Sequence, residues 1–110
     1  MMCLILLGEN IVDNFKIMLL AKARRDLEEI FQYLYSEYDR DIAEMTLAHL
    51  EERISSLETM PFRGALRKIG IFANQGYRQL FVKDFVIIYK VDIKIYQVVI
   101  ITIRYSKSDF

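Results

Sequence analysis

The chain has 110 residues, 54% of them apolar, a single cysteine and a formal net charge of zero. That length supports one domain with a real core. One cysteine excludes an intramolecular disulfide and a cysteine metal set, and no apolar run approaches the roughly 18 residues that cross a bilayer. The zero charge conceals a division. Residues 1–60 carry 6 Lys/Arg against 12 Asp/Glu, and residues 61–110 carry 9 against 3. This reads as an acidic scaffold and a basic working face. An apolar surplus on so small a chain points to a partner protein or a dimer.

Residues 1–13 form an N-terminal extension whose role the pattern leaves open. Met1 to Leu7 is apolar but lacks a basic flank, and Gly8-Glu9-Asn10 ends it, so it fits neither a signal peptide nor a membrane span. The expected compartment is the cytoplasm. Residues 14–110 read as a single domain. Phe15 to Leu20 predicts a short strand, buried on both faces toward its end.

A helix follows. Leu27, Ile30, Phe31, Leu34 and Tyr38 recur at helical spacing and form one apolar stripe. Asp26, Glu28, Glu29 and Glu37 lie off the stripe and are expected to be solvated. A second helix starts near Asp39 to Asp41, acidic residues suited to a helix N-terminus. Its stripe is Ala43, Leu47, Leu50, Ile54 and Leu57, alternating steps of four and three that predict an antiparallel helical hairpin. Leu47→Asp or Leu50→Asp is accordingly expected to unfold the chain. Pro61 cannot continue the helix, and the helical half ends near Met60.

Residues 61–75 predict an irregular connection holding Arg63, Arg67 and Lys68. Three β-rich runs follow, Gly76–Val82, Phe85–Val91 and Ile95–Tyr105, joined by short polar breaks as in an antiparallel meander. In the last run Val98 and Ile100 point one way, Val99 and Ile101 the other, so both faces should be covered. The hairpin covers one. The other is expected to be a binding face, with homodimerisation through it when no partner is bound.

Several of these segments, in this order, resemble the RelE/ParE toxin superfamily. Ala23-Arg24-Arg25-Asp26-Leu27-Glu28-Glu29-Ile30-Phe31-Gln32-Tyr33-Leu34 is similar to the first helix of those toxins, and Met60-Pro61-Phe62-Arg63-Gly64 to the segment that ends their second. Tyr77–Val82, Phe85–Asp92 and Ile103–Asp109 resemble their closing strands and tail. The likeness runs from about Phe15 to the C-terminal residue and leaves residues 1–13 without a counterpart. It implies an α+β fold of order β-α-α-β-β-β, a helical hairpin packed on one face of a mainly antiparallel four-stranded sheet. It also implies the toxin of a type II toxin–antitoxin module of the plasmid-stabilisation type, neutralised by a cognate antitoxin protein.

Two activities accompany that resemblance: poisoning of DNA gyrase, as in ParE-like members, and cutting of mRNA on the translating ribosome, as in RelE-like members. Attack by a ribose 2′-OH needs a group to take its proton, cations for the charged phosphorane and a donor for the leaving oxygen. Arg78 could be the cation, and Tyr105 or Lys107 could assist the leaving group. RelE-like nucleases usually carry a further arginine where this chain has Val86, and no carboxylate lies between Thr59 and Lys83. The reading therefore favours the ParE-like branch. A nuclease, and an inactive member that only binds a partner, stand as the alternatives. Candidate contacts to the target or antitoxin are Arg63, Arg67, Lys68, Arg78 and Arg104. Tyr89 is expected to pack in the sheet. His49, the only histidine, is expected to be a surface or boundary residue. No metal, cofactor or phosphate-binding glycine loop is expected.

Overall fold

A short run with one apolar, inward-facing side sets the first strand. In Lys16–Leu19 (β1) the residues alternate, Lys16 and Met18 outward, Ile17 and Leu19 half-buried. A computed structural model describes residues 14–108 and 110, and the N-terminal extension lies outside the described residues. Burial on both faces toward the end of this strand is not found. Leu20 remains 39% exposed, because it has already left the strand and occupies the N-cap of the first helix.

That helix, Ala21–Glu37 (α1), and the next, Arg40–Ser56 (α2), form the expected hairpin, joined by Tyr38 and Asp39. The Asp39 carboxylate accepts from the Ile42 N–H at 2.9 Å, satisfying one of the donors a helix start leaves unpaired. Ala43, Leu50 and Ile54 are buried along α2, with Leu57 just beyond its end. Leu47 is half-buried. On α1, Leu34 is buried and Leu27, Ile30 and Phe31 are half-buried. Tyr38, placed by its spacing on the same stripe, is 62% exposed. The backbone leaves helical geometry at Tyr38, so the periodicity no longer directs its ring inward.

The remaining strands are Ala65–Leu66 (β2), Arg78–Val82 (β3), Phe85–Asp92 (β4) and Gln97–Tyr105 (β5). They complete a sheet of order β1-β5-β4-β3-β2. Among the described strands only β1 and β5 run parallel. The α+β class and the hairpin-on-sheet layout are as expected, with five strands among the described residues instead of four. The extra strand comes from the irregular connection, where Ala65 pairs with Gln79 and Leu66 with Arg78. A 3₁₀ turn at Ile93–Ile95 also delays the last strand to Gln97.

The core lies between hairpin and sheet. Ala23, Leu50, Ile54 and Leu57 from the helical half meet Leu80, Val82, Ile87, Tyr89, Val98, Ile100 and Ile103. Each large apolar side chain fully buried there contributes about 1.5–3 kcal/mol.

Two expectations about exposure are corrected. Asp26 is not solvated: it is 5% exposed. The parallel pairing of β1 with β5 stops at Ile100, and among the described residues no strand pairs with the outer edge of β5 from there on. The first turns of α1 run past this edge, and the Asp26 carboxylate accepts from the Ile103 N–H at 3.0 Å and from the Thr102 hydroxyl. Lys22, one turn earlier, pairs with the same carboxylate.

The second correction concerns the sheet face away from the helices, whose centre is covered although Phe81 at its side stays 51% exposed. A bulge at Ile88/Tyr89 sets Tyr89 opposite Ile100 and Ile88 opposite Thr102. The alternation of β5 therefore breaks after Ile100, and Thr102 comes to lie opposite Ile88 on the second face. Val86 and Ile88 are both fully buried on it. Arg67 closes over this face through a 2.9 Å hydrogen bond to Gln79 Oε1, and Phe110 lies between Arg67 and Arg104. The apolar centre of the face is thus covered within the chain itself.

Candidate functional site

The loop after α2 is held from below by one phenol. Tyr89, fully buried, donates its hydroxyl to the Pro61 carbonyl at 2.8 Å and accepts from the Gly64 N–H at 2.9 Å. It packs in the sheet as expected and also fixes the shape of the Pro-x-x-Gly segment. Burial pushes the Tyr89 phenol above its usual range; the Gly64 N–H and the nearby Arg78 and Arg63 guanidiniums only partly offset this. Arg78 is drawn into the same assembly. Its Nη1 donates to the Gly64 carbonyl at 2.7 Å, and its guanidinium lies 5.0 Å from the centre of the Phe62 ring. Arg63 Nη1 donates to Ser56 Oγ at 2.8 Å.

Gly64 is the keystone of this loop. A Cβ there would come within 2.7 Å of the Tyr89 hydroxyl and closer still to the Gln79 carbonyl. Gly64→Ala is therefore expected to lower stability by about 1–3 kcal/mol, the usual cost of overpacking a filled site. Urea denaturation of the two proteins measures it; an unchanged midpoint would mean that the loop is free to move away.

Arg67, Lys68 and Arg104 form a second group. Arg67 is 5% exposed, and its Nε donates to the Ile69 carbonyl at 3.1 Å. With the Gln79 bond this leaves it a rigid, largely internal cation. Lys68 is exposed, and Arg104 is half-buried against the Phe110 ring. Neither Arg67 nor Arg104 pairs with an Asp or Glu side chain among the described residues.

Tyr105 and Lys107 lie elsewhere. Tyr105 packs edge-on against Phe85, 6.1 Å between ring centres, and Lys107 is exposed in the turn that follows. Register separates them from Arg78: Arg78 stands opposite Tyr89, whereas Tyr105 stands opposite Phe85. Four residues of strand correspond to roughly 13 Å. The three groups that a leaving-group mechanism would combine are not gathered around one point.

Tyr105 instead helps to line a groove of about 690 Å³ between the hairpin and the far end of the sheet. Ile30, Tyr33 and Tyr38 of the first helical segment, Ile42 of α2, and Phe85 form its apolar wall, and Lys83-Asp84 its end. Tyr33 and Tyr38 are more than half exposed. Reading the stripes alone missed this groove. Its signal was Tyr33 in the last turns of the first helix and Tyr38 just past its end, where charged residues are usual. His49 is half-buried with no hydrogen-bond partner for Nδ1. Among the described residues no cluster of His, Cys, Asp and Glu could hold a metal ion, and no helix is long and apolar enough to cross a membrane.

Comparison with known proteins bears on what this arrangement is. No match is found among curated protein sequences. Among solved structures, the chromosomal ParDE toxin–antitoxin system from P. aeruginosa superposes with a TM-score of 0.72 at 18% identity, over 86% of this chain and 99% of that one. The toxin–antitoxin complex RelBE2 from Mycobacterium tuberculosis gives 0.61 at 19% identity, over 84% and 91%. These two likenesses show a shared fold. The family model for the ParE toxin of the type II toxin–antitoxin system parDE matches residues 17–110, and the chain belongs to that family.

Proposed function

We propose that the chain inhibits growth from the cytoplasm by binding DNA gyrase, without cutting nucleic acid, and that a cognate antitoxin neutralises it. The observation that carries the reading is the dispersal of Arg78, Tyr105 and Lys107. General acid–base chemistry needs its groups within hydrogen-bond reach of one reacting centre. Arg78 and Tyr105 are held apart by strand register, and Arg78 is committed to the Gly64 carbonyl. Val86, which stands where the resembling nucleases carry an arginine, is buried in the sheet and presents nothing to a phosphate. What the chain does present is contact surface. The exposed Arg63 and Lys68 flank Phe62 and Leu66, which are about half exposed, a mixture of cation and apolar area suited to a protein target. Arg78 and Arg104 would support that face from below.

The antitoxin is assigned to the groove between hairpin and sheet. An apolar channel with tyrosines on its rim fits one face of an amphipathic segment, and both superposed structures are of toxin–antitoxin systems.

Purified gyrase decides the target. Supercoiling is expected to fall in proportion to added protein, and to recover when a cognate antitoxin is supplied. Full supercoiling at saturating protein would refute the gyrase assignment. Primer extension on translated message tests the nuclease alternative: the proposal expects no new cuts, and cuts lost on Tyr105→Phe or Lys107→Ala would replace it.

A further inference from the structure

The loop after α2 has buried ends and an exposed middle. Pro61 and Gly64 are buried, whereas Phe62 and Arg63 between them stand out, Phe62 at 47% exposure. One hydrogen bond closes the loop on itself, from the Arg63 N–H to the Met60 carbonyl at 3.2 Å. The rest of its shape is imposed from the sheet. Tyr89 takes the Pro61 carbonyl and the Gly64 N–H, and Arg78 takes the Gly64 carbonyl. The Arg78 guanidinium also lies 5.0 Å from the centre of the Phe62 ring. That ring is therefore seated on a cation at the surface instead of in the apolar core.

Core packing alone does not call for these groups. Val86, Ile87 and Ile88, which precede Tyr89 on β4, are fully buried aliphatic residues, and a phenylalanine would fill the space of the Tyr89 ring. The hydroxyl adds its two hydrogen bonds to the loop, without which its burial would be unfavourable. Those bonds fix one conformation of a short exposed segment. A binding segment held in one shape loses less freedom on association than a mobile one. The segment presents an aromatic ring beside Arg63, in a stretch (residues 60–82) whose charged residues, Arg63, Arg67, Lys68 and Arg78, are all cations. Such an arrangement fits a protein surface with an apolar pocket and an acidic rim.

We infer that Phe62 is the anchor of the target contact, and that Tyr89 and Arg78 are positioning residues that set its strength without touching the target. The inference rests on the reading that the chain acts by binding a protein target. Phe62 enters the apolar pocket of that target, and Arg63 meets carboxylates at the rim. Tyr89 acts from beneath, through the Pro61 carbonyl and the Gly64 N–H. Arg78 acts through the Gly64 carbonyl and the face of the Phe62 ring.

The test titrates supercoiling by purified gyrase with the wild type, Phe62→Ala, Tyr89→Phe and the double variant, each checked for folding by circular dichroism. Phe62→Ala is expected to raise the half-inhibitory concentration about thirty-fold, and Tyr89→Phe about ten-fold. The double variant should match Phe62→Ala alone, since nothing is left to position. Ile54→Val, which lowers stability from within the hairpin core, should inhibit like the wild type. Inhibition by Tyr89→Phe within about two-fold of the wild type, or a double variant about three-hundred-fold weaker, overturns the inference. If Tyr89→Phe does not fold, Arg78→Met takes its place with the same expectations, and losses that multiply with Phe62→Ala would mean that Arg78 touches the target itself. A wild type that leaves supercoiling untouched removes the gyrase reading. The variants are then compared by the level of induced expression at which each arrests growth, with the same order expected. Equal thresholds, or no arrest by the wild type, overturn the inference.

Discussion

Leu50→Asp should leave the protein without a cooperative thermal transition. Leu50 is fully buried in the middle of α2, facing Leu80 and its neighbours across the core. Deleting a buried leucine side chain alone costs about 2–5 kcal/mol. Aspartate adds a carboxylate that the site cannot hydrate or pair, with a further penalty of several kcal/mol. A domain of this size has only about 5–15 kcal/mol in hand. The sum exceeds what the fold can absorb. Leu47→Asp, expected from spacing alone to be equally damaging, should do less, since Leu47 is only half-buried and its carboxylate can reach water. Paired melts followed by circular dichroism separate the two. A native-like melt for Leu50→Asp would remove α2 from the core and with it the hairpin-on-sheet arrangement.

The contrast between Leu47 and Leu50 shows what kind of information spacing holds. Periodicity reports which side of a helix is apolar, and it placed Ala43, Leu50, Ile54 and Leu57 correctly. It does not report how deep each position lies, because depth depends on the shape of the opposing sheet. The three long strands were legible for the same reason: β-formers in alternation, interrupted by Lys83-Asp84 and by the polar break after Val91. The two-residue strand Ala65–Leu66 was not, since pairing so short leaves no period to detect. Nor was the bulge at Ile88/Tyr89, which changes the face to which Thr102 points without altering composition.

The candidate site was legible in its residues and not in its grouping. The basic half of the chain could be seen, and so could Arg78 as an arginine among apolar neighbours. That Arg67 would be buried while Lys68 beside it stays exposed follows from a contact with Gln79 twelve residues away. That Arg78 and Tyr105 stand opposite β4 residues four positions apart follows from pairing across three strands. Local sequence carries neither fact. The second sheet face illustrates the same limit. Its apolar character was read from Val99 and Ile101, but its cover comes from Arg67 and Phe110, residues remote from one another that no periodicity relates.

Asp26→Ala is expected to destabilise the protein by about 2–4 kcal/mol, although every charge pattern marks this position as a solvated helix face. The magnitude follows from what the carboxylate does. It accepts from the Ile103 N–H and the Thr102 hydroxyl at the unpaired edge of β5, and each buried donor left without a partner costs about 1–3 kcal/mol. The pair with Lys22 adds little, since the lysine side chain is 49% exposed and such pairs are weak in water. Asp26→Asn keeps an acceptor and should lose about half as much. Proton linkage offers a second readout. Burial pushes the Asp26 carboxyl upward, but the Lys22 ammonium and the hydrogen bonds from Thr102 and Ile103 outweigh it, so the folded pKa lies below the unfolded one. A depressed carboxylate pKa stabilises fully above the unfolded value, about 3.9, and that contribution is lost as pH falls through the folded value. The stability gap between wild type and Asp26→Asn should therefore hold constant from pH 8 down to about 5 and narrow below about 4. Urea midpoints at these pH values measure the gap directly. If it stayed the same width into strong acid, the negative charge on Asp26 would not be what closes the sheet edge, and the neutral hydrogen bonds alone would have to account for its burial.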